Sequence, residues 1–374
     1  MIIKNTKLGR KVMIKYYDMS SINDPVKDTI KNKFEQLLKN NSFIYDTQEF
    51  ENRFKKYTGC RHVVGVSSGT AALHLSLKAI GIEPGDAVAT VSHTFRATVA
   101  AIKYCGAEPV YVDINPYNYC MNPVRLEETL KTRPDIKAVV VVHLYGNAAD
   151  IKTIVQIAKH YKVKVIEDCS QAHGTFKGGK HVGTFGDIGT FSFFPGKGIG
   201  AFGDAGCIIT NDGHYNEYVK QARSWKEDEI GFNYRMSNLN AEFVRSKIDH
   251  YKMVLAEKRN IAKNYDRHFG NCLVDGDVKH SYHIYPILAP HRDRLIWHAA
   301  KNGVELKCHY PLPVHKLQGY KTDKYSLPVT DIISSQQVSL PIYPGVDWKT
   351  VVKVIKDYDD LGIAIRAAKR SKYK

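Results

Sequence analysis

The sequence predicts an α/β protein, with a mostly parallel central sheet in a large domain and a smaller C-terminal α+β domain. Three observations lead there. The chain has 374 residues, too many for one small core and suited to a large domain with a smaller companion. Between about residues 60 and 210, short β-branched runs alternate with stretches of helical period. Those runs are apolar almost throughout, which is how strands read when helices cover both faces of a sheet.

Residues 1–14 read as a poorly ordered extension. Over 26–38, Val26, Ile30, Phe34, Leu37 and Leu38 share one helical face, with Asn23 or Asp24 as candidate N-cap. A second helix is expected over 49–57. Strands are expected over 62–67, 87–91, 110–114, 138–143, 164–169, 190–194 and 206–210. Helices fall between several of them, over 70–80, 94–105 and 151–160. One long helical stretch, 239–269, leads to C-terminal elements over 283–288, 292–301, 304–310, 337–340 and 348–359. The division expected is an extension (1–14), a large domain (15–250) and a small domain (251–374).

Composition narrows the function classes. Hydrophobic content is 43% and charged content 25%, ordinary for a globular protein. No apolar run approaches the roughly 20 residues of a membrane span, and the N-terminus lacks the apolar stretch of a signal peptide. A cytoplasmic protein is expected. The seven cysteines form no CxxC pair, so reduced, mostly buried thiols are expected, with neither a disulfide scaffold nor a zinc ribbon nor another metal site. The net charge of +16 comes from 54 basic and 38 acidic side chains. It is spread along the chain, with short clusters at 4–15 and 366–374, and reads as solvated lysines. No nucleic-acid-binding signature accompanies it. A phosphate-bearing small ligand is compatible with the surplus.

In open α/β sheets ligands sit beyond the carboxyl ends of the strands, and four features fall at such ends. Ser67-Ser68-Gly69-Thr70 opens a helix after a strand, where free N–H groups and the helix dipole favour phosphate. An ordinary capped turn has the same pattern, and neither GxxxxGK[ST] nor GxGxxG is present here. Glu167-Asp168 ends an apolar run. Alternation puts the two carboxylates on opposite faces, and Asp168 is placed to hold a cationic ring nitrogen or to cap a helical segment over 170–174. Lys197 comes after an aromatic run and a Pro195-Gly196 turn, fenced by Gly198 and Gly200, which are expected to leave room for a ligand. Low dielectric there would free its neutral amine for imine formation. Phe95 starts a helix, suited to stacking on a flat ring or to the core.

Together these residues resemble the DegT/StrS family of nucleotide-sugar aminotransferases, whose fold is the aspartate aminotransferase type of pyridoxal 5'-phosphate (PLP) enzymes. The resemblance runs in order from about residue 15 to 362. It rests on Ser67 to Leu73, Thr94-Phe95-Arg96-Ala97-Thr98, His143-Leu144-Tyr145-Gly146, Glu167 to Gly174, Ser192 to Lys197, Gly203-Asp204-Ala205-Gly206, Gly231 to Met236 and His309-Tyr310-Pro311. It implies that Lys197 holds PLP as a Schiff base and shuttles the proton, and that Asp168 pairs with the pyridinium nitrogen. Gln171 would lie near the phenolic oxygen, Phe95 would stack on the ring, and Gly69, Thr70 and Ser192 would hold the phosphate. It also implies a homodimer with shared sites, Asn233 reaching the partner's phosphate, and substrate contacts from Arg235, His309 and Tyr310.

The implied reaction is ping-pong, passing through pyridoxamine phosphate, from glutamate or glutamine to a keto sugar on a nucleotide. The loop reads Lys197-Gly198-Ile199-Gly200 where many relatives have Lys-Asn-Leu-Gly, a change expected to loosen it. Gly203-Asp204-Ala205-Gly206, His309-Tyr310-Pro311 and Pro313-Val314-His315 resemble members acting at carbon 3, so a dTDP-3-keto-6-deoxyhexose is the expected acceptor. The alternatives are a 4-keto sugar on dTDP, UDP or GDP, a PLP-binding dehydratase, for which relatives carry histidine at the Lys197 position, and a non-enzymatic regulator.

Overall fold

The computed structural model describes residues 13–43, 46–225, 231–270 and 276–359. The expected extension (save its last two residues), the basic tail at 366–374 and Cys272 lie outside the described residues.

The strands in chain order are β1 (His62–Val66), β2 (Ala87–Val91), β3 (Glu108–Val112), β4 (Ile136–Val142), β5 (Lys164–Asp168), β6 (Phe176–Lys177), β7 (Lys180–His181), β8 (Ile188–Ser192), β9 (Gly206–Thr210), β10 (Val278–Lys279), β11 (Tyr285–Leu288) and β12 (Gln337–Leu340). The helices before the main sheet and within it are α1 (Ser20–Asn23), α2 (Lys27–Asn40), α3 (Gln48–Thr58), α4 (Gly69–Ala79), α5 (Ala97–Tyr104), α6 (Pro123–Thr132), α7 (Ile151–His160) and α8 (Gly213–Ala222). After it come α9 (Asn238–Ile248), α10 (Tyr251–Phe269), α11 (Arg292–Lys301), α12 (Pro328–Gln336) and α13 (Trp348–Asp359).

All seven expected strands join one sheet, in the order β1-β9-β8-β5-β4-β2-β3. The neighbours from β3 to β8 pair in parallel, while β9 runs antiparallel to both β8 and β1. The reversal has a local cause. The short segment from Ser192 to Gly206 contains no crossover helix, and without one a chain returns antiparallel. Register aligns Val142 with Asp168, Asp168 with Thr190, and Ser192 with Gly206, which also pairs with Val66. The carboxyl ends of β1, β4, β5 and β8 therefore share one edge. Both faces are covered, as the unbroken apolar runs require. Val140, Ile166 and Ile208 pack with Leu73 and Leu77 of α4, while Val139, Val141 and Val165 pack with Ile151 and Ile154 of α7.

Three expectations are corrected. The first helix starts at Lys27, after α1 and a 3-10 turn at Asp24–Val26. Pro25 sits inside that turn, where its missing N–H costs little. Neither Asn23 nor Asp24 caps α2 with its side chain, and Phe34 and Leu38 are exposed while Val26 and Leu37 are buried. The stretch 239–269 is two helices broken at Asp249-His250. The apolar period continues across the break, but α9 packs on α2 and α3 whereas α10 reaches α13. Residues 304–310 form no regular strand, only isolated bridges of Ile14 with Val304 and Lys307 with Ser339. Tyr251, Val254 and Leu255 pack in the core beside α9, while Ile261 and Tyr265 pack with β11, β12 and α13. Helix α10, which starts where the expected 250/251 boundary falls, thus contributes to both cores.

The cysteines Cys60, Cys105, Cys120, Cys169, Cys207 and Cys308 are free thiols, all but Cys308 fully buried. Among the described residues no helix is long and apolar enough to cross a membrane.

Candidate active site

The turn after β1 is built for close approach. Ser68 is extended and caps α4, its Oγ accepting the Ala71 N–H at 3.0 Å, and its carbonyl accepts the first helical bond from Ala72. The N–H groups of Gly69 and Thr70 precede those bonds, at the positive end of the helix dipole. A Cβ on Gly69 would lie 2.6 Å from Ser192 Cβ, and one on Gly206 would lie 2.5 Å from the Ser68 carbonyl. These two glycines bring the end of β8 against the start of α4, so Ser192 stands beside the anion-seeking helix end.

Asp168 ends β5 and is 5% exposed. Its Oδ2 accepts the Thr98 hydroxyl at 2.9 Å and its Oδ1 the Ser170 N–H at 3.1 Å. No helix succeeds it directly, so Asp168 is not the cap its position also allowed. Glu167 points the other way. It accepts His143 Nε2 (2.9 Å) and the N–H groups of Gly183, Phe185 and Gly186. His143 Nδ1 accepts the Ala149 N–H, which places the ring proton on Nε2. Burial pushes the Glu167 carboxyl up, but the His143 bond and the backbone donors outweigh it and hold it below the usual range. With Cys169 these two residues form the one His/Glu/Cys group close enough to ligate a metal among the described residues. However, His143 and Glu167 are engaged with each other and with backbone donors, and burial keeps the Cys169 thiol protonated.

Lys197 closes a tight turn, its N–H donating to Phe194 O at 2.8 Å. Burial lowers its amine from 10.5 to about 8, against an upward pull from Asp168. At neutral pH that raises the neutral fraction roughly 300-fold over an ordinary lysine. The flanking glycines serve differently from expectation. Gly198 packs on Tyr251 and Gly200 on the Pro195 carbonyl, so closely that a Cβ on either would collide with that neighbour. Only Gly196 borders the cavity. The loop is closely packed at Gly198, not loosened.

The remaining wall is a hydrogen-bonded chain. Gln171 accepts the Tyr145 N–H (2.8 Å) and donates to Tyr310 Oη (2.8 Å). Tyr145 has φ +60. Its hydroxyl donates to His309 O, and His93 bridges that hydroxyl (2.7 Å) to Ser334 (2.9 Å). Burial lowers His93 to about 3, so it is neutral. Tyr16 stacks on His309 at 5.4 Å. Phe95, half exposed, faces Tyr310 with ring centroids 6.0 Å apart.

These groups enclose one cavity of about 600 Å³. Gly69, Thr70, Phe95, Asp168, Gln171, Ser192, Lys197, His309 and Tyr310 all line it. Asn233 and Arg235 do not: Asn233 is exposed, and Arg235 bridges Val66 through its backbone. Sequence reasoning missed Tyr16, Tyr17, Thr98, Ser170, Asp204 and His283 as lining residues. Thr98 had a signal, being one helical turn from Phe95. Asp204 and Ser170 lay inside recognised motifs, whereas nothing marked the two tyrosines.

PLP fits this arrangement. A glycine cradle with uncapped N–H groups and hydroxyls suits the phosphate, a buried carboxylate suits the ring nitrogen, an aromatic face suits the ring, and a depressed lysine suits the aldehyde.

Comparison with known proteins agrees. The model of the DegT/DnrJ/EryC1/StrS aminotransferase family matches residues 25–358. A dTDP-3-amino-3,6-dideoxy-alpha-D-galactopyranose transaminase of Aneurinibacillus thermoaerophilus is 36% identical, covering 94% of this chain and 100% of the relative. A GDP-perosamine synthase of Escherichia coli O157:H7 is 35% identical over 84% of this chain and 89% of its own. Among solved structures, S. venezuelae DesV in complex with a ketimine intermediate superposes with a TM-score of 0.89 at 27% identity, covering 95% of this chain and all of that one.

Proposed function

Because the chain belongs to the DegT/DnrJ/EryC1/StrS aminotransferase family and is a PLP-dependent sugar aminotransferase, we propose that it moves an amino group from glutamate or glutamine to carbon 3 of a dTDP-linked 3-keto-6-deoxyhexose. The observation that carries the residue assignment is the depressed Lys197 amine in one cavity with the buried Asp168 carboxylate and the open start of α4. When bound, the cofactor supplies an electron sink for the carbon that loses or gains a proton.

The protein supplies the rest. The N–H groups of Gly69 and Thr70, with the Thr70 and Ser192 hydroxyls, bind the phosphate. Asp168, held by Thr98 and Ser170, keeps the ring nitrogen protonated. Phe95 would cover the ring, and Gln171, fixed by Tyr145 and Tyr310, would hold the phenolic oxygen. Lys197 in its neutral form takes up and returns the proton at the reacting carbon, and its value of about 8 suits both tasks near neutral pH. His309 and Tyr310 contact the sugar. Burial, then the nearby Lys197 and Lys307, lowers His309 to about 4, so it acts as a neutral hydrogen-bonding group.

Two further parts of the reading come from the resemblance. The working form is a homodimer in the cytoplasm, in which Asn233, exposed and away from its own cavity, completes the partner's phosphate site and Arg235 contributes to substrate binding. The Aneurinibacillus relative, named for a dTDP-linked 3-amino sugar, supports carbon 3.

The test is a panel of dTDP-, UDP- and GDP-linked 3-keto and 4-keto sugars with glutamate or glutamine, read by product mass and the position of the new amine. Amine at carbon 3 of a dTDP sugar is expected. Amine at carbon 4 overturns the acceptor, a deoxygenated sugar without nitrogen indicates a dehydratase, and no product with any acceptor overturns the reading.

A further inference from the structure

Lys247 is 3% exposed on α9, with no carboxylate bonded to it among the described residues. Its Nζ donates to Gly200 O at 2.8 Å and lies 4.2 Å from the centroid of the Phe243 ring. Asn240, Phe243 and Lys247 stand at i, i+3 and i+7, so they share one helix face. That face meets the chain just after Lys197. Asn240 accepts the Phe202 N–H (3.2 Å) and donates to Asp204 O (3.0 Å), while Phe243 packs on the Phe202 ring at 3.8 Å. The return limb from Gly200 to Asp204 is therefore gripped along its length. Its position sets the turn that carries Lys197, because Gly200 lies against the Pro195 carbonyl and the Ala201 N–H donates to Phe193 O at 2.7 Å.

We propose that Lys247, assisted by Asn240, is a positioning residue for Lys197: the pair clamps the return limb and so fixes the direction from which the Lys197 amine enters the cavity. The inference rests on the role given to Lys197 above. Packing alone would be served by leucine or methionine at this site, and burying an amine is costly. The bond to Gly200 O accounts for it. Burial alone lowers Lys247 to about 7, so above neutral pH a neutral N–H donor makes the bond. An uncharged amide is able to do the same.

Three variants test this, Lys247→Met, Lys247→Gln and Asn240→Ala, each read in two ways. On the cofactor-free protein, hydrogen exchange is measured at the Ala201 and Phe202 amides. On the PLP-loaded protein, kcat, KM for the nucleotide sugar and the pH midpoint of the visible band are measured. Lys247→Met should speed exchange at Ala201 about 10-fold, the loss of roughly one hydrogen bond. It should also lower kcat about 10-fold at near-constant KM and move the band's midpoint, because a misdirected amine costs rate more than binding. Lys247→Gln should restore all of these to within about threefold. Asn240→Ala, at the half-exposed end of the face, should speed exchange at Phe202 about threefold or more, and it carries the test if Lys247→Met does not accumulate. Wild-type exchange and kcat in Lys247→Met, Lys247→Gln as impaired as Lys247→Met, or wild-type exchange at Phe202 in Asn240→Ala would each overturn the proposal. Exchange is read without cofactor or substrate, so a chain that shows the clamp but aminates no sugar fails the proposed function alone.

Discussion

Replacing Lys197 with methionine should stabilise the cofactor-free protein while ending turnover. Burial lowers this amine from 10.5 to about 8, despite the opposing pull of Asp168. The folded state therefore disfavours the ammonium by on the order of 3 kcal/mol, at about 1.36 kcal/mol per pKa unit. Below pH 8 both folded and unfolded chains hold the proton, and the folded state carries the whole penalty. Between pH 8 and 10.5 only the unfolded chain holds it, so the penalty shrinks as pH rises, and above 10.5 it is gone. Methionine keeps the length and apolar stem without the amine. Denaturant unfolding of the cofactor-free variant should show a gain of up to about 3 kcal/mol at about pH 6.5, fading by about pH 10.5. A variant no more stable than the parent at the lower pH, or a gain that does not change with pH, would refute the reasoning.

Other perturbations separate the parts of the site. Asp168→Asn should lower kcat by roughly 100-fold or more, about 2.7 kcal/mol of barrier, and should shift the Lys197 titration further below 8, since the carboxylate that raises it is gone; an unchanged pH profile would count against the pairing. Gly69→Ala places a Cβ 2.6 Å from Ser192 Cβ, and should weaken PLP binding about 10-fold or more in an absorbance titration. Tyr145→Phe removes the bond to His309 O, and should raise KM for the nucleotide sugar about 5–10-fold, roughly 1 kcal/mol, with little change in PLP affinity. Glu167→Gln sets an amide NH₂ against backbone N–H donors, and should cost about 3 kcal/mol in thermal unfolding while leaving the visible spectrum intact.

The large sheet was legible because its strands are apolar on both faces, a pattern that survives without knowledge of partners. The site was legible for the same reason. Asp168, Ser192 and the turn at Ser67 sit at strand ends, and strand ends are the residues whose position a parallel sheet determines. What the sequence did not show depends on contacts between distant segments. Nothing local marks Asp249-His250 as a break, because α9 and α10 differ only in what they pack against. Tyr16 enters the cavity by stacking on His309, nearly 300 residues away in sequence. Gly198 and Gly200 looked like space left for a ligand, but each is small because Tyr251 or Pro195 lies against it. Lys247 looked like one more solvated lysine until the fold turned it towards Gly200.

The most direct test of the central claim is to load the protein with PLP, reduce it with borohydride and locate the cofactor by peptide mass. The label is expected on the peptide containing Lys197, and it should be lost when glutamate is added before reduction. A label on another lysine, or none at all from a protein that has taken up PLP, would contradict the assignment of Lys197.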